Sequence, residues 1–339
     1  MRRFERGLVI GKFCPLHRGH ELLIRTALER CDEVLLLSYT RPEFAHCEPL
    51  ERRRWFAMRF PAERYPGLRW QVLDSTDPVP HNDDPEAVHR RFCGEQCVAR
   101  FGCVPDAVFT SEAYGPGFAA ALSAQFARTV THVPVDPGRV AVPVSATQLR
   151  TDLFGHRDRI APEVFAGLVP RIGVIGGESS GKTTLAHALA ERLPQTLCAA
   201  EYGRERWVER GGRLDEADLL HIAETQVERE EALALRDGCR RVIGDTTPLT
   251  TLFYCLEDQG RAPPRLHEWA IRYYDLLVLC EPDFAFVQDG TRRDDAFRLR
   301  QHQWYLDRLA SRSERVLRAG GPLEHRLKTV ANRLGIALA

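Results

Sequence analysis

The run Gly176-Gly177-Glu178-Ser179-Ser180-Gly181-Lys182-Thr183 constrains this chain more than any other feature. It follows the short apolar stretch Ile172-Gly173-Val174-Ile175 and precedes a helical pattern carrying Leu185, Leu189 and Leu193. A G-x-x-x-x-G-K-T run between a strand and a helix is the context of a phosphate-binding P-loop. Backbone N–H groups cradle the phosphates, Lys182 reaches the β- and γ-phosphates, and the Thr183 hydroxyl is placed to ligate Mg²⁺. The nucleotide-contacting set is Gly176, Gly177, Glu178, Ser179, Ser180, Gly181, Lys182, Thr183 and Thr184. Arg241-Val242-Ile243-Gly244-Asp245 then ends a strand on an acid, which makes Asp245 the second metal-side residue.

A second glycine-punctuated segment lies near the start, Gly11-Lys12-Phe13-Cys14-Pro15-Leu16-His17-Arg18-Gly19-His20. It also sits between an apolar strand, Leu8-Val9-Ile10, and a helical pattern over 20–31. Two histidines three residues apart at a helix entry form a cationic or hydrogen-bonding clamp, where free N–H groups and the helix dipole already favour anions. His17, His20 and Lys12 can then hold phosphates and stabilise the charge that builds as pyrophosphate leaves. Basic composition supports both loops. Only three of the 47 basic residues are lysine, at 12, 182 and 328, and two of these fall inside the two phosphate-type motifs. An ammonium on a flexible stem acts there as a mobile point charge, which a planar guanidinium does not.

The 339 residues are enough for two domains. Strands are expected at Val34–Leu37, Trp70–Leu73, Ala107–Thr110 and Thr129–Val135, separated by helices near 50–60, 85–101 and 117–127. The pattern restarts near 168–171, with strands at Val242–Gly244 and Leu276–Cys280 and charged helices at about 215–237 and 295–311. Alternation of this kind predicts two doubly wound parallel-sheet α/β domains, over 1–168 and 169–339. A net charge of zero argues against a nucleic-acid partner. No apolar run approaches the roughly 20 residues that span a bilayer, and none near the start forms a secretory core, so a cytoplasmic enzyme without membrane insertion is expected. The ten cysteines read as reduced thiols. His89, Cys93 and Cys97 share one helix face but lack a fourth metal ligand, so they read as a helix face rather than a zinc site.

The first loop resembles the H-x-G-H nucleotidyltransferase superfamily, and Val144-Ser145-Ala146-Thr147-Gln148-Leu149-Arg150 resembles its second, triphosphate-binding element. Physically, Ser145 and Thr147 can cap the helix that begins there, with Arg150 one turn on. An H-x-G-H domain followed by a P-loop domain is similar to the NadR-type family, in which a nicotinamide mononucleotide (NMN) adenylyltransferase precedes a ribosylnicotinamide kinase. The likeness extends to Phe109–Glu112, Glu201–Glu205, Asp245-Thr246 with Thr250-Thr251, and Asp289-Gly290-Thr291-Arg292.

The resemblance implies ATP binding in the first domain by Gly11, Lys12, Phe13, His17, Gly19, His20, Ser145, Thr147 and Arg150. In the second it implies ATP binding by the loop and by Arg292 of a lid. Substrate contacts are expected from Glu201, Tyr202, Asp245, His89 and Phe92, and catalysis from Lys12, His17, His20, Arg150, Lys182 and Asp245. The implied partners are ATP, Mg²⁺, NMN, nicotinamide riboside and the product NAD, with a homo-oligomer as the protein partnership kept open. Three departures stand out. About ten residues precede the first motif, too few for the helix-turn-helix domain of some members, so repression is not expected. Thr247 replaces a second acid, which places kinase efficiency in question. His89 and Phe92 stand where members carry a tryptophan. The competing readings are a phosphopantetheine adenylyltransferase/dephospho-coenzyme A kinase fusion and an ATP/NMN sensor with weak kinase activity.

Overall fold

Continuous apolar runs need burial on both faces, and they become the central strands of two parallel sheets. The computed structural model describes residues 4–74, 76–290 and 292–338, and the chain divides into two units, Met1–Leu168 and Val169–Ala339. In the first unit the strands are β1 (Phe4–Gly11), β2 (Cys31–Ser38), β3 (Leu68–Val72), β4 (Ala107–Thr110) and β5 (Thr131–Pro134), in the order β3-β2-β1-β4-β5. Leu8 aligns with Leu35 on one side and Val108 on the other, and all three are fully buried. The chain steps outward from β1 to β3 and then returns to the opposite side of β1. This puts the carboxyl end of β1 at the topological switch point, where such sheets bind ligands.

The second unit contains β6 (Arg171–Gly176), β7 (Thr196–Ala199), β8 (Arg241–Asp245), β9 (Leu276–Cys280) and β10 (Val316–Ala319), in the order β10-β9-β6-β8-β7. The first strand is again central, with Gly173 opposite both Gly244 and Leu277. Its core joins Ile172, Val174, Leu185, Leu189, Ile243, Val278 and the closing helix residues Leu327 and Val330. Both units are doubly wound α/β sheets, the class expected from the sequence.

Two strands escaped sequence reasoning, β7 and β10, and they are the two edges of the second sheet. An edge strand is covered on fewer sides and can stay short and partly polar, as in Val316-Leu317-Arg318-Ala319. The helix expected over 85–101 runs over Glu86–Gln96 and continues as a wider π-type turn over Cys97–Phe101. No helix among the described residues is long and apolar enough to cross a membrane.

One glycine shows how tightly the first sheet is packed. A Cβ on Gly7 would lie 2.6 Å from the Cys31 sulfur and 2.8 Å from the Phe109 ring. Gly7→Ala should therefore reduce the hydrogen-exchange protection of β1 amides by about 1–3 kcal/mol, the usual cost of overpacking, while β6 amides keep theirs. Unchanged protection in β1 would contradict this packing.

Candidate functional sites

In the first unit, β1 ends at Gly11 and helix Arg18–Arg30 begins after His17. The two histidines cap that helix reciprocally. His17 Nδ1 accepts from the Gly19 and His20 N–H groups (3.1 and 3.3 Å), and His20 Nδ1 accepts from the His17 N–H (3.4 Å). This is the geometry of a capping box with imidazoles in place of the usual hydroxyl and carboxylate. The rings stack with centroids 3.7 Å apart. With both Nδ1 atoms accepting, each proton belongs on Nε2. Burial, and then the Arg139 charge, lowers the pKa of His17 to about 4. Burial, followed by His17, holds His20 well below the usual histidine value. The pair is thus a set of neutral donors, and of the two readings of the clamp the hydrogen-bonding one fits.

These residues open onto a cavity of about 570 Å³. Gly11, Lys12, Phe13, His17, Gly19, His20, Ser145, Thr147 and Arg150 all line it. Ser145 caps helix Ala146–Thr151 by accepting from the Gln148 N–H (3.2 Å), and the Gln148 side chain accepts from the Ser145 N–H (2.8 Å). Thr147 does not share that capping role. Its hydroxyl accepts instead from Arg150 (3.1 Å), whose guanidinium also donates to the Cys14 carbonyl. Away from these groups the wall is formed by Tyr39, Asn82, Glu86, His89, Arg90 and Tyr114. Of the two residues expected to contact substrate here, His89 lines the cavity, hydrogen-bonded through Nδ1 to the Tyr39 hydroxyl at 2.8 Å. Phe92 is turned into the core, edge-on to Tyr39. The difference is helical phase. Cys93 and Cys97 follow Phe92 into the same core.

The second site forms where β6 meets helix Lys182–Arg192. Gly181 precedes that helix at φ 82°, a conformation that needs glycine, and supplies no side-chain cap. First-turn N–H groups of such a helix are free for phosphate oxygens. The Lys182 ammonium donates to the Gly177 carbonyl at 2.9 Å. The loop is braced by side chains distant in sequence. Gln301 accepts from the Glu178 N–H (3.0 Å), and Arg326 donates to the Ser180 carbonyl (2.8 Å). Ser179 accepts from the Val287 N–H (3.0 Å), and the Glu178 carboxylate accepts from Tyr254 (3.0 Å) and the Arg293 N–H (2.7 Å).

Glu178 through Thr184, Glu201 and Arg292 line a cavity of about 260 Å³, together with Trp207, Leu219, Ile222 and Asp258. Gly176 and Gly177 lie behind the loop, outside that lining. Arg292 pairs with Asp289 at 3.2 Å, and Asp289 also pairs with Arg204 at 3.2 Å. Thr291, part of the lid motif, lies outside the described residues. Tyr202 points away from the cavity, its hydroxyl 3.2 Å from His221. Asp245, expected to contact substrate, is not part of that lining: it is buried at the end of β8, and burial raises its pKa against the opposing effect of a Thr183 hydrogen bond. Among the described residues, its Oδ1 has no partner, nor do the buried hydroxyls of Thr246 and Thr247. A buried carboxylate oxygen left open beside a loop threonine suits a Mg²⁺ ligand set. Burial raises Glu201 as well.

Sequence reasoning missed Tyr39, Phe44, Tyr254, Arg298, Gln301 and Arg326. Their roles depend on contacts across elements. Arg298 and Arg326 are buried on the last two long helices, which nothing local in the sequence marks.

Comparison with known proteins places the fold and the family. A family described as "AAA domain" matches residues 171–326. The Trifunctional NAD biosynthesis/regulator protein NadR of Escherichia coli (strain K12) is 30% identical over 304 residues, covering 84% of this chain and 71% of that protein. Its counterpart from Salmonella typhimurium (strain LT2) is 29% identical with the same coverage. Among solved structures, NadR protein in complex with NAD and AMP-PNP is similar with a TM-score of 0.50 and 19% identity, covering 100% of this chain and 98% of that one. NadR protein in complex with NR gives 0.51 and 20%, covering 100% and 99%. At these identities the two structures speak to the fold alone.

The neutral imidazole pair can be checked by NMR of the histidine side chains. His17 should titrate with a midpoint near 4 and carry its proton on Nε2 above that pH. A midpoint near 6.5, or an Nδ1–H tautomer, would show that the capping geometry does not hold in solution.

Proposed function

The chain belongs to the NadR family, and from that premise we propose that it makes NAD in two ATP-dependent steps, one in each unit. The observation that carries this reading is shared by both cavities. Each is floored by a strand-to-helix loop bearing a lysine that, among the described residues, pairs with no carboxylate. An ammonium in contact with no carboxylate, with Glu201 and Asp245 acting on Lys182 only through space, suits a triphosphate.

In the first cavity an oxygen of the NMN phosphate attacks the α-phosphorus of ATP. The α–β bridging bond breaks, and pyrophosphate leaves with NAD as product. No protein atom is covalently modified, so catalysis is positioning and charge stabilisation. Lys12 and Arg150 meet the β- and γ-phosphates, while the Nε2–H groups of His17 and His20 donate to oxygens whose charge increases. Ser145 and Thr147 complete the phosphate end. The opposite wall, with Tyr39, Asn82, His89 and Tyr114, takes the nicotinamide nucleotide.

In the second cavity the 5′-hydroxyl of nicotinamide riboside attacks the γ-phosphorus of another ATP, the β–γ bridging bond breaks, and ADP leaves with NMN as product. The loop amides, Lys182 and Arg292 hold the phosphates. Thr183 and Asp245 would hold Mg²⁺, which neutralises phosphate charge when bound. Glu201, made more basic by burial, faces the cavity and is the group placed to orient the hydroxyl and accept its proton. The apolar wall of Trp207, Leu219 and Ile222 offers a surface for the pyridine ring. The enzyme is accordingly a transferase with ATP as co-substrate and Mg²⁺ as its metal.

Lys12→Ala and Lys182→Ala should separate the two reactions. With nicotinamide riboside and ATP–Mg²⁺, the Lys12 variant should accumulate NMN, with dinucleotide formation lowered roughly 10²–10³-fold. The Lys182 variant should make NAD from supplied NMN but no NMN from the riboside. Chromatography of the products decides between outcomes. Turnover of phosphopantetheine and dephospho-coenzyme A without turnover of either nicotinamide substrate would refute the assignment.

A further inference from the structure

The segment 40–48, which follows β2, is pinned at both ends. Asn82 Oδ1 accepts from the Thr40 hydroxyl (3.0 Å) and the Arg41 N–H (3.4 Å), and its amide nitrogen donates to the Pro42 carbonyl (3.1 Å). Further along, the fully buried Arg52 grips Glu43 through both carboxylate oxygens at 2.9 Å. Arg52 also donates to the Cys47 carbonyl (3.0 Å) and the Ser38 hydroxyl (2.8 Å), and Ser38 donates to the Lys12 carbonyl (3.2 Å). One buried guanidinium therefore ties this strap to the backbone of the first phosphate loop.

Phe44 follows Glu43 on the strap and lines the first cavity. The Arg150 guanidinium carbon lies 4.3 Å from its ring centroid, and the Lys12 ammonium lies 5.8 Å from it. Neither cation pairs with a carboxylate among the described residues, whereas Arg139 on the same cavity wall pairs with Glu112 at 2.7 Å. A carboxylate between Lys12 and Arg150 would hold them equally well but would cancel their charge. A ring face attracts each through its quadrupole and carries no net charge. A stacked guanidinium also keeps its N–H edges available for hydrogen bonds.

We propose that Phe44 is a positioning residue, holding Lys12 and Arg150 in place for the β- and γ-phosphates of a nucleoside triphosphate in the first cavity. The proposal rests on the reading of that cavity as an adenylyl-transfer site. Arg52 and Asn82 act through it by fixing the strap, and Phe44 itself does not touch the reacting atoms.

The test uses the full chain carrying Lys182→Ala, which removes the lysine of the second phosphate loop, with ATP–Mg²⁺ and AMP as calorimetric probes. Adding Phe44→Leu should weaken ATP binding roughly tenfold. Affinity for AMP, which lacks the two outer phosphates, should stay within about twofold, because the cations held by the ring serve those outer phosphates. Phe44→Tyr keeps the ring face and should bind ATP like its parent. Unchanged ATP affinity in Phe44→Leu, equal weakening of ATP and AMP, or a tyrosine variant as weak as leucine would each overturn the proposal. So would the absence of ATP binding in the Lys182→Ala parent. Product analysis with NMN on the same samples keeps the two readings apart. Phe44-dependent ATP binding without NAD formation defeats adenylyl transfer alone. NAD formation with Phe44-independent ATP binding defeats the role of Phe44 alone.

Discussion

Holding a positive charge in place without a carboxylate in contact is the constraint that Lys12, Arg150 and Lys182 share. Most arginines of the chain satisfy electrostatics simply, by pairing with a nearby carboxylate, as Arg59 does with Glu21 and Glu163. Lys12, Arg150 and Lys182 are held otherwise, so that, among the described residues, no carboxylate in contact with them competes for an incoming anion; Arg292, paired with Asp289, is the exception among the cations assigned to phosphate. The two units solve this differently. In the first, Phe44 offers a ring face to Lys12 and Arg150. In the second, the Gly177 carbonyl accepts from Lys182 at 2.9 Å. A neutral acceptor gives up its hydrogen bond to a phosphate oxygen at small cost, since the ligand supplies a charge-assisted one.

The remaining donors follow the same logic. An imidazole used only as a cation would be charged in a small part of the physiological range. Buried and locked through Nδ1 into the cap of helix Arg18–Arg30, His17 and His20 keep an Nε2–H regardless of pH above the acid range. The helix start and the donor geometry are therefore one structural fact, and a substitution that spoils the cap spoils the donors. In the second unit the loop depends on the far end of the chain. Arg298, Gln301 and Arg326 belong to helices Asp295–Leu309 and Leu323–Leu334, yet each bonds the backbone of 178–180. Side chains distant in sequence thus brace the backbone of this loop.

This explains which parts were legible in the sequence. Strands with unbroken apolar runs, such as Val34–Leu37 and Leu276–Cys280, announce themselves because they are buried on both faces. The edge strands β7 and β10 do not. Both glycine-punctuated loops are local in sequence, so their spacing and two lysines single out residues that the structure gathers at each cavity, His17, His20, Arg150 and Thr183 among them. Residues whose placement depends on tertiary packing stayed hidden. Phe44 is an unremarkable loop aromatic until Arg52 anchors its neighbour. Phe92 looked as apt as His89 for a substrate, and only the phase of helix Glu86–Gln96 separates core from cavity. Tyr202 belonged to a persuasive motif, yet its ring is held by Arg229 and His221 while the neighbouring Glu201 faces the cavity.

On the proposed reading that Mg²⁺ binds in the second cavity, Thr247, where an acid was expected, is weighed by what that ion demands. The ion is small, favours octahedral geometry and retains several waters, and it commonly binds through one or two carboxylates together with substrate phosphates. One well-placed carboxylate therefore meets the minimum. Asp245 has the required properties, since it ends an interior strand, is hydrogen-bonded to Thr183 and, among the described residues, leaves Oδ1 unpaired. A second buried acid next to it would add like-charge repulsion and raise both pKa values further, working against the ionised form that a metal needs. The neighbouring hydroxyls of Thr246 and Thr247 add no charge, and as unpaired buried groups they can donate or accept toward metal-bound water or a ribose oxygen. On the proposed reading, the loss of one acid leaves the metal site with its essential ligand and shifts the orientation of the hydroxyl substrate to Glu201, the carboxylate that faces the cavity.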